Sequence, residues 1–472
     1  MKNFYISALF LSLIFGGCQT DLNVSAQDES SRDVVFNTGL GVKSFTTGLY
    51  GLAQQEGAFG GVPQLLGEWQ SDNIGFRGTF PTLIEIRDYT TISTNGNIAS
   101  IWQDHYEIIT QANTIISRAY STPDVDFSKE ERDQVVGEAK FMRALAYFQL
   151  NCLFAQPIQT VGSGGLSVPL VTQYVKSVDE IGLRSTARAT IGQIYNQIEL
   201  DLLDAINKIT KFDRSRANIG AAKALLARVY LYQNKFDLAA NYANQVINMP
   251  EFTFANDYLF YDNKTSSEHI FNLVSLTNDS QSGSNENGPS VSFSTLTNSS
   301  TQGGRGDCPF SANLNATFSA SNGDLRYTLK RADEINSARF FTTKYDDGKN
   351  QSSDFSVIRI SEMYLIRAEA NLRAGTAVGA NPIDDVNKIR RRARVADLTA
   401  PLTLDNIITE RRLEFCFEGH RRMDLLRNGI QLRSSGTVPA PTETMPGKPK
   451  VILPIPQREL DLNKNLIQNS GY

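Results

Sequence analysis

Tryptophan and histidine are scarce: the 472 residues include two tryptophans and three histidines. The histidines, His105, His269 and His420, lie far apart, and no pair of cysteines or histidines has the spacing of zinc ligands. We therefore expect no metal site, and no motif indicates a cofactor. With so few indole rings, stacking on a ligand has to rely largely on the 17 tyrosines and 26 phenylalanines.

An excess of basic charge is also absent. Lysine and arginine together number 46 against 50 aspartates and glutamates, which gives a net charge of -4 and a pI of about 5.6. This balance predicts no binding to nucleic acid and no polybasic patch for anionic lipid. The hydrophobic fraction of 41% is ordinary for a globular protein, and the chain is long enough to bury a large core.

Beyond the N-terminus, no apolar run predicts a transmembrane helix. At the N-terminus, Lys2 precedes an almost unbroken apolar run at positions 4–15, and two glycines then precede Cys18. This order is typical of a bacterial lipoprotein signal, in which the cysteine is acylated and becomes the first mature residue. We predict a signal peptide at residues 1–17 and a lipid anchor on Cys18. A plain secretory signal with an incidental cysteine is the alternative.

The other three cysteines have no regular spacing that would indicate a disulfide framework. Cys152 lies in an apolar stretch and Cys416 lies between two phenylalanines, so both are predicted to be small buried hydrophobic residues. Cys308 lies in a glycine- and serine-rich loop.

Apolar residues recur at helical spacing over most of the chain after residue 101. The spacing predicts helices at residues 130–154, 187–209, 221–232, 236–247, 357–374, 382–394 and 404–427. Strand patterns are few and short, as at residues 168–172 and 269–274, and residues 446–472 are predicted to form an extended tail packed on the body. The expected fold class is mainly α, with irregular, loop-rich excursions.

Two of these helices form a tight pair. Residues 221–232 and 236–247 are separated by three polar residues, so the helices must be antiparallel neighbours. The second helix allows close approach because it contains Ala239, Ala240 and Ala243. The pair is similar to a degenerate tetratricopeptide unit, although such pairs are equally common as plain scaffold.

The C-terminal third contains several charged motifs. They are residues 358–370 (IRISEMYLIRAEA), 389–393 (IRRRA), 410–427 (ERRLEFCFEGHRRMDLLR) and 453–460 (LPIPQREL). In the N-terminal half, residues 138–148 (EAKFMRALAYF) and the helix pattern at residues 102–116 belong to the same set. In sequence and in order, these segments resemble the SusD/RagB family, and the resemblance extends over nearly the whole mature chain.

The resemblance implies a SusD-like fold with tetratricopeptide-like helix pairs. Residues 18–260 and residues 261–472 are expected to form one compact body. The resemblance also implies an outer-membrane lipoprotein that faces the cell exterior, binds oligosaccharide and delivers it to a SusC-like TonB-dependent transporter. A peptide ligand, as in the RagB branch, is the alternative.

Three glutamates offer a competing interpretation. Glu410, Glu414 and Glu418 are spaced to share one helical face, and paired carboxylates catalyse glycoside hydrolysis. Because they are spread along a helix rather than gathered in a pocket loop, we expect them to form ion pairs that hold the helix to its neighbours. The prediction is a binding protein without catalytic residues. A glycoside hydrolase and an adhesive surface platform are the alternatives.

Two stretches are the candidates for the ligand site, because loops on a rigid scaffold usually carry binding residues. The glycine-rich stretch at residues 67–80 offers Trp69, Asp72, Asn73, Phe76 and Arg77. The family places further contacts in mid-chain loops, here residues 285–307, which offer Phe293, Arg305 and Asp307. A core position is an equal alternative for Trp69, whereas Trp102 belongs to a scaffold helix.

Overall fold

Helices dominate the structure, a computed structural model that describes residues 33–174, 186–275, 289–293, 304–347, 352–433 and 441–472. The predicted mainly α class is confirmed. In chain order the α-helices are α1 (Gly39–Ala53), α2 (Val62–Trp69), α3 (Pro81–Arg87), α4 (Gly96–Arg118), α5 (Lys129–Phe154), α6 (Ile158–Val161), α7 (Ile191–Lys208), α8 (Ile219–Tyr232), α9 (Phe236–Ile247), α10 (Pro289–Ser292), α11 (Ala312–Ala320), α12 (Ile360–Ala374), α13 (Pro382–Arg392), α14 (Leu404–Phe415), α15 (Arg421–Leu426) and α16 (Gln457–Leu462).

Within these ranges the strands are short and form antiparallel pairs. The pairs are β1 (Leu166–Pro169) with β2 (Arg188–Thr190), β3 (His269–Leu273) with β6 (Phe355–Arg359), and β4 (Lys330–Ala332) with β5 (Phe340–Thr342). The strand pattern predicted at residues 269–274 corresponds to β3, whereas the one predicted at residues 168–172 overlaps only the last two residues of β1. Each pair connects two chain segments that lie between helices. The strands of these ranges therefore hold loops in position and do not form a large central sheet.

The longer helices pack in succession. Helix α4 packs on α5, α5 on α7, α7 on α8, α8 on α9, α9 on α12 and α12 on α13. Each helix contributes an apolar face to its neighbours, which is how most helical stability arises in proteins. The alanines of α9 are fully buried and allow the predicted close approach: Ala239, Ala240 and Ala243. The result is a rigid helical body on which the irregular loops are mounted.

The tight turn between α8 and α9 is confirmed. Helix α8 ends at Tyr232 and α9 begins at Phe236, and the two helices pack side by side. Asn234 has a φ of 59°, a left-handed conformation that asparagine tolerates better than most residues. The amide of Lys235 donates to the carbonyl oxygen of Tyr230 at 2.9 Å and closes the turn.

Local sequence determines where several helices begin and end. Helix α5 begins with a capping box, in which Ser128 and Glu131 each accept a hydrogen bond from the other's backbone amide. Thr190 and Gln193 form the same arrangement at the start of α7. Helix α12 ends at Gly375, whose left-handed conformation is the usual way to stop a helix.

Two predicted helices begin later than expected. The pattern at residues 187–209 starts as strand β2, and helix α7 begins at Ile191. The pattern at residues 357–374 starts within strand β6, and helix α12 begins at Ile360. In both places a short apolar run is compatible with either a strand or a buried helix, and pairing with a distant strand decides the outcome.

The predicted helix at residues 404–427 is broken, which corrects one inference. Helix α14 ends at Phe415 and α15 begins at Arg421. Between them, Phe417 and Gly419 have φ values of 67° and 81°, in the left-handed region where a right-handed helix cannot continue. Glu418 therefore does not lie on the helical face of the other two glutamates.

One hydrophobic core contains buried residues from Phe36 to Leu466. The C-terminal tail packs on this core as predicted, although α16 interrupts its extended course. The side-chain amide of Asn469 donates to the carbonyl oxygens of Phe154 and Leu453, at 2.9 and 2.7 Å. Side chains from both predicted sequence regions thus pack together.

Some predictions fall outside the described residues. These are the signal peptide at residues 1–17, the anchor at Cys18, and much of the stretch at residues 285–307. In the ranges that the structure covers, no helix combines the length and apolar character needed to cross a bilayer.

Candidate ligand-binding cleft

The two candidate stretches lie side by side. The amide of Gly75 donates to the carbonyl oxygen of Pro309 at 2.9 Å, and the amide of Arg77 donates to that of Asp307 at 2.7 Å. An isolated antiparallel β-bridge joins the same segments. Residues far apart in sequence are thereby brought to one place, at the loop that follows α2.

An open cleft of about 1030 Å³ lies along this pairing. Its walls come from the loop after α2, the end of α3, the start of α11 and the turn between β4 and β5. Its lining includes the predicted residues Asp72, Phe76 and Arg77. Ligand sites in proteins usually measure a few hundred to about 1,000 Å³, so the cleft has room for a small oligomer.

Asp72 is held in place by the motif at residues 410–427. Its carboxylate accepts hydrogen bonds from Nε and Nη2 of Arg421 at 2.7 and 3.0 Å, and Nη2 of Arg412 lies 3.4 Å from Oδ2. Burial favours the protonated form, but the hydrogen bonds and charge of Arg421 outweigh it and lower the pKa of Asp72. Two side chains of the charged motif therefore position the floor of the cleft.

Asn73 lies beneath the floor of the cleft, where its side chain is hydrogen-bonded on both sides. It is buried, and its amide nitrogen donates to Glu68 Oε2 at 2.8 Å while its amide oxygen accepts from Arg412 Nε at 2.8 Å. The other oxygen of Glu68 accepts from the backbone amide of Gly419 at 3.1 Å. Burial raises the pKa of Glu68 to about 7, although these hydrogen bonds oppose the rise. Asn73 thus has a structural position beneath the cleft rather than on its surface.

The proposed stacking role of Trp69 has to be corrected. The side chain is 0% exposed, so neither face of the indole can contact a sugar ring. Its ring packs edge-on against Phe76 with centroids 5.3 Å apart, and its Nε1 donates to Sγ of Cys308 at 3.2 Å. Trp69 belongs to the core that supports the cleft, which is the alternative the sequence left open.

Phe76 and Phe293 are also largely buried. Phe76 is in contact with Trp69, and the guanidinium of Arg87 lies 5.9 Å from the centre of its ring. Phe293 packs against Phe417, with ring centroids 5.3 Å apart, and has no exposed surface. Phe76 contributes to the cleft wall, whereas Phe293 does not face a ligand.

Arg305 and Asp307 form an ion pair beside the cleft, with Arg305 Nε 2.7 Å from Asp307 Oδ2. The guanidinium of Arg305 also lies 5.2 Å from the centre of the Phe80 ring. Burial raises the pKa of Asp307, and the neighbouring charge of Arg305 opposes this. Phe80 itself is 45% exposed and follows Arg77 by three residues. A partly exposed aromatic ring, with the Arg305 guanidinium against it, therefore lies close to the paired segments.

Sequence reasoning missed three arginines of the lining, and it missed Phe80, which lies against Arg305 beside the cleft. A signal for Phe80 existed, since a large apolar residue directly before Pro81 has no helical or strand pattern to bury it. Arg87, Arg339 and Arg433 reach the cleft only because distant segments meet there. No local pattern could have identified them.

The three glutamates of the charged motif meet several cations in the interior. We call this set the buried ion cluster: Glu268, Arg326, Lys344, Arg359, Arg392, Glu410, Glu414 and Glu418. Arg359 bridges Glu414 at 2.7 Å and Glu418 at 2.9 Å, and Lys344 lies 2.7 Å from Glu418. The expectation that these carboxylates form ion pairs is confirmed, even though Glu418 lies beyond the helix.

The cations keep these carboxylates ionised. Burial alone would favour the protonated forms, but Arg392 and Arg359 lower the pKa of Glu414 strongly, and Arg359 and Lys344 lower that of Glu418 to about 2. The hydroxyls of Tyr258 and Tyr261 donate to Glu414 and Glu418. Carboxylates so fully bonded hold chain segments together.

Within the described residues, no group of three or more histidine, cysteine, aspartate or glutamate side chains is placed to hold a metal ion. The three cysteines described are free thiols and all are buried: Cys152, Cys308 and Cys416. Burial of the first and last agrees with the sequence prediction.

Two family models match the chain. Residues 22–231 match a model described as starch-binding associating with outer membrane, and residues 336–472 match the model of the SusD family. The chain belongs to the SusD/RagB family.

Individual relatives agree with this assignment. The SusD-like protein P2 of Formosa agariphila is 26% identical, and the match covers 100% of both chains. A SusD superfamily protein of Bacteroides thetaiotaomicron has a crystal structure with a TM-score of 0.83, 24% identity, and coverage of 92% of this chain and 99% of its own. A laminarin-binding SusD-like protein has a TM-score of 0.72, 25% identity, and coverage of 91% and 99%.

Membership in the SusD/RagB family also bears on catalysis. The chain's SusD-family homologues are carbohydrate-binding proteins, not enzymes, and one of the two matching models is named for association with the outer membrane. The ion pairing of the glutamates is consistent with a role of the SusD-like chain in binding.

Proposed function

We propose that this SusD-like chain is a cell-surface lipoprotein that captures oligosaccharide in the cleft and delivers it to a SusC-like TonB-dependent transporter. The observation that carries the proposal is the pairing of the two loop stretches, which places Arg77 in the lining of the cleft, with the exposed Phe80 three residues further along the chain. Loops positioned by a rigid helical body are a common setting for ligand sites.

The chemistry of the cleft suits a sugar chain. Sugar rings present apolar CH groups that stack on aromatic faces, together with hydroxyls that need hydrogen-bonding partners. Phe80 offers the exposed ring, and the cleft lining adds polar side chains such as Asn313 and Asn315. Names of relatives support the same ligand class, since one is called a laminarin-binding SusD-like protein and another a surface glycan-binding protein.

Oligosaccharide binding is tested by calorimetry with purified protein and hexamers of neutral and acidic sugars. We expect at least one glycan to bind, and we expect Phe80→Ala to lower its affinity about tenfold, equivalent to about 1.4 kcal/mol. Phe212→Ala is the matched control because Phe212 is 43% exposed and, like Phe80, lies beside an arginine, but its neighbours are Arg214 and Phe252 rather than the paired loops. Equal losses in both variants would refute a role for Phe80.

The same assay separates the alternatives. Binding of a peptide panel with no binding of any glycan would favour the peptide-binding alternative. Release of reducing ends from a polysaccharide would favour a glycoside hydrolase, and that activity should then depend on carboxylates of the cleft. We expect neither result.

The lipid anchor is tested by fractionation of cells that express Cys18→Ala. Acyl chains contribute about 0.8 kcal/mol per buried CH₂, so loss of the acylated cysteine should release the protein from the outer membrane. An unchanged distribution of the variant would rule out the anchor. Protease treatment of intact cells tests the outward orientation, because an exposed protein is degraded while periplasmic markers survive.

Delivery to a transporter requires a physical partner. We expect a TonB-dependent transporter to co-purify with the wild-type protein from detergent extracts. Repeated failure to recover one, from cells grown on a glycan that the protein binds, would count against delivery while leaving glycan capture intact.

A further inference from the structure

Arginine outnumbers aspartate around the cleft. Within the described residues, the charged side chains of the lining and their ion-pair partners comprise six arginines and three aspartates. The chain as a whole has a net charge of -4, so this local excess runs against the overall balance. A charged cleft with protein walls concentrates its field and attracts ions of the opposite sign.

Two of the aspartates are saturated by their neighbours. Asp88 accepts hydrogen bonds from Nε and Nη2 of Arg87, both at 2.7 Å, so this pair is neutral. Asp72 is shared by Arg412 and Arg421, so its single negative charge faces two positive ones. Neither carboxylate has charge left to neutralise the rest of the cleft.

Arg339 and Arg433 are less completely compensated. One nitrogen of Arg339 lies 3.4 Å from Asp333, longer than a charge-assisted hydrogen bond. The guanidinium of Arg433 donates to backbone carbonyl oxygens, which carry no formal charge, and these belong to Trp69, Ser71 and Arg87. Burial lowers the pKa of Arg433, as expected for a cation without a carboxylate partner.

Arg77 is exposed, and its backbone amide is fixed by the carbonyl oxygen of Asp307. Among the described residues, no carboxylate forms an ion pair with its guanidinium. The side chain is therefore anchored at its base while its charged end faces solvent at the cleft. It is the best-placed group to meet an incoming anion.

Building on the proposed function, we infer that the cleft selects acidic oligosaccharides, whose carboxylate or sulfate groups are bound by Arg77 and Arg339. The guanidinium presents paired N–H donors that match the oxygens of a carboxylate or a sulfate. Arg433 adds positive potential from the floor. A neutral sugar chain would leave Arg77 without an ion-pair partner and Arg339 with only its 3.4 Å contact to Asp333, so it gains less from the same contacts.

The test compares three hexasaccharides by calorimetry with the full-length protein in detergent. These are a galacturonate hexamer, a heparin-derived hexasaccharide and neutral maltohexaose. We expect the better acidic ligand to bind at least tenfold more tightly than maltohexaose at low salt. The difference should shrink in about 0.5 M salt, because the ions screen the exposed arginines. Which acidic hexamer binds more tightly distinguishes a carboxylate from a sulfate ligand.

Substitution of the arginines tests the same inference at the level of single residues. We expect Arg77→Gln and Arg339→Gln each to lower the affinity for the acidic hexamer about fivefold to tenfold, while any affinity for maltohexaose stays within twofold. The matched control is Arg391→Gln, since Arg391 is an exposed arginine of α13 that pairs with Asp397 and does not line the cleft. The control should bind all three hexamers as the wild type does.

The possible failures differ from one another. If maltohexaose binds as tightly as both acidic hexamers, or if Arg77→Gln and Arg339→Gln leave acidic binding unchanged, charge selection is overturned while oligosaccharide capture stands. If no hexamer binds, both the selection and the proposed capture are overturned. Equal losses in the Arg391→Gln control would show a nonspecific charge effect and would also overturn the selection.

Discussion

The buried ion cluster and the cleft use arginine in opposite ways. In the cluster, Arg359 contacts carboxylates in the interior at hydrogen-bonding distance, and Arg392 likewise contacts two of them. In the cleft, Arg77 is exposed and pairs with no carboxylate among the described residues. Charges that neutralise one another hold the fold together, whereas a charge without a partner is available to a ligand.

The comparison also explains the charged motif at residues 410–427. Glu414 lies in the buried ion cluster, while Arg412 and Arg421 reach the floor of the cleft and hold Asp72. One segment therefore links the two regions. A motif that looks catalytic in sequence serves to fix the position of a binding loop.

The largest expected effect comes from breaking the cluster. Glu414→Gln leaves Arg359 and Arg392 without their shared carboxylate, and an uncompensated buried charge typically costs about 3–5 kcal/mol. We expect the free energy of unfolding in urea to fall by about that amount. The control is Asp397→Asn, which breaks an exposed pair with Arg391 and should cost less than about 1 kcal/mol. Similar losses in both would contradict the distinction drawn between the regions.

The second prediction concerns pH. Burial raises the pKa of Glu68 to about 7, above the ordinary value of 4.5. The folded state therefore binds a proton more tightly than the unfolded state, and this stabilisation is lost as pH rises from about 4.5 to about 7. A pKa difference of one between the folded and unfolded states corresponds to about 1.4 kcal/mol, so the loss is roughly 3 kcal/mol. Above pH 7 the contribution no longer changes.

Glu68→Gln isolates this effect because it keeps a hydrogen-bonding side chain that does not titrate. The difference in unfolding free energy between wild type and variant should change across pH 4.5 to 7 and be flat above it. Asp104, whose pKa burial raises to about 6, titrates in the same window and is common to both proteins. A difference that is constant with pH would show that folding does not raise the pKa of Glu68.

The third prediction separates the core from the rim. Trp69→Phe removes part of a fully buried ring and the donor to Cys308, so we expect a loss of about 1–3 kcal/mol in stability. Glycan affinity of the folded protein should stay within twofold, because the indole does not reach the ligand. A large loss of glycan affinity with little loss of stability would show that Trp69 belongs to the binding site and not to the core.

Local patterns in the sequence were sufficient for the helical scaffold. The helix pair α8 and α9 and its turn follow from apolar spacing, small residues and a short polar break, and α5 agrees with its prediction to within one residue. These signals depend on residues close together in sequence, so they do not depend on which distant segments pack nearby. The short strand β6 was misread because its pairing partner, β3, is about 80 residues away.

Only some of the cleft residues could be predicted from the sequence, for the same reason. Asp72, Phe76 and Arg77 could be proposed from a glycine-rich, non-periodic stretch, but Trp69 and Asn73 from that stretch are buried. Trp69 is the last residue of α2, and its burial depends on what packs over it, here a segment more than 200 residues away. Sequence alone could indicate the right loop but could not tell which of its side chains face outward.

The smallest expected effect is on the stability of the rim. Arg77→Gln removes an exposed side chain that contributes little to the interior, so it should change the unfolding free energy by less than about 0.5 kcal/mol. The double variant with Phe80→Ala should lose glycan affinity while its unfolding free energy in urea falls by no more than about 1.5 kcal/mol. Phe80→Ala does release the guanidinium of Arg305 from one aromatic contact, which at an exposed site is worth about 0.5–1 kcal/mol. A loss of stability well beyond the sum of the two single losses would mean that Arg77 and Phe80 support the fold, as the buried ion cluster does. The division between structural and ligand-binding arginines would then not hold.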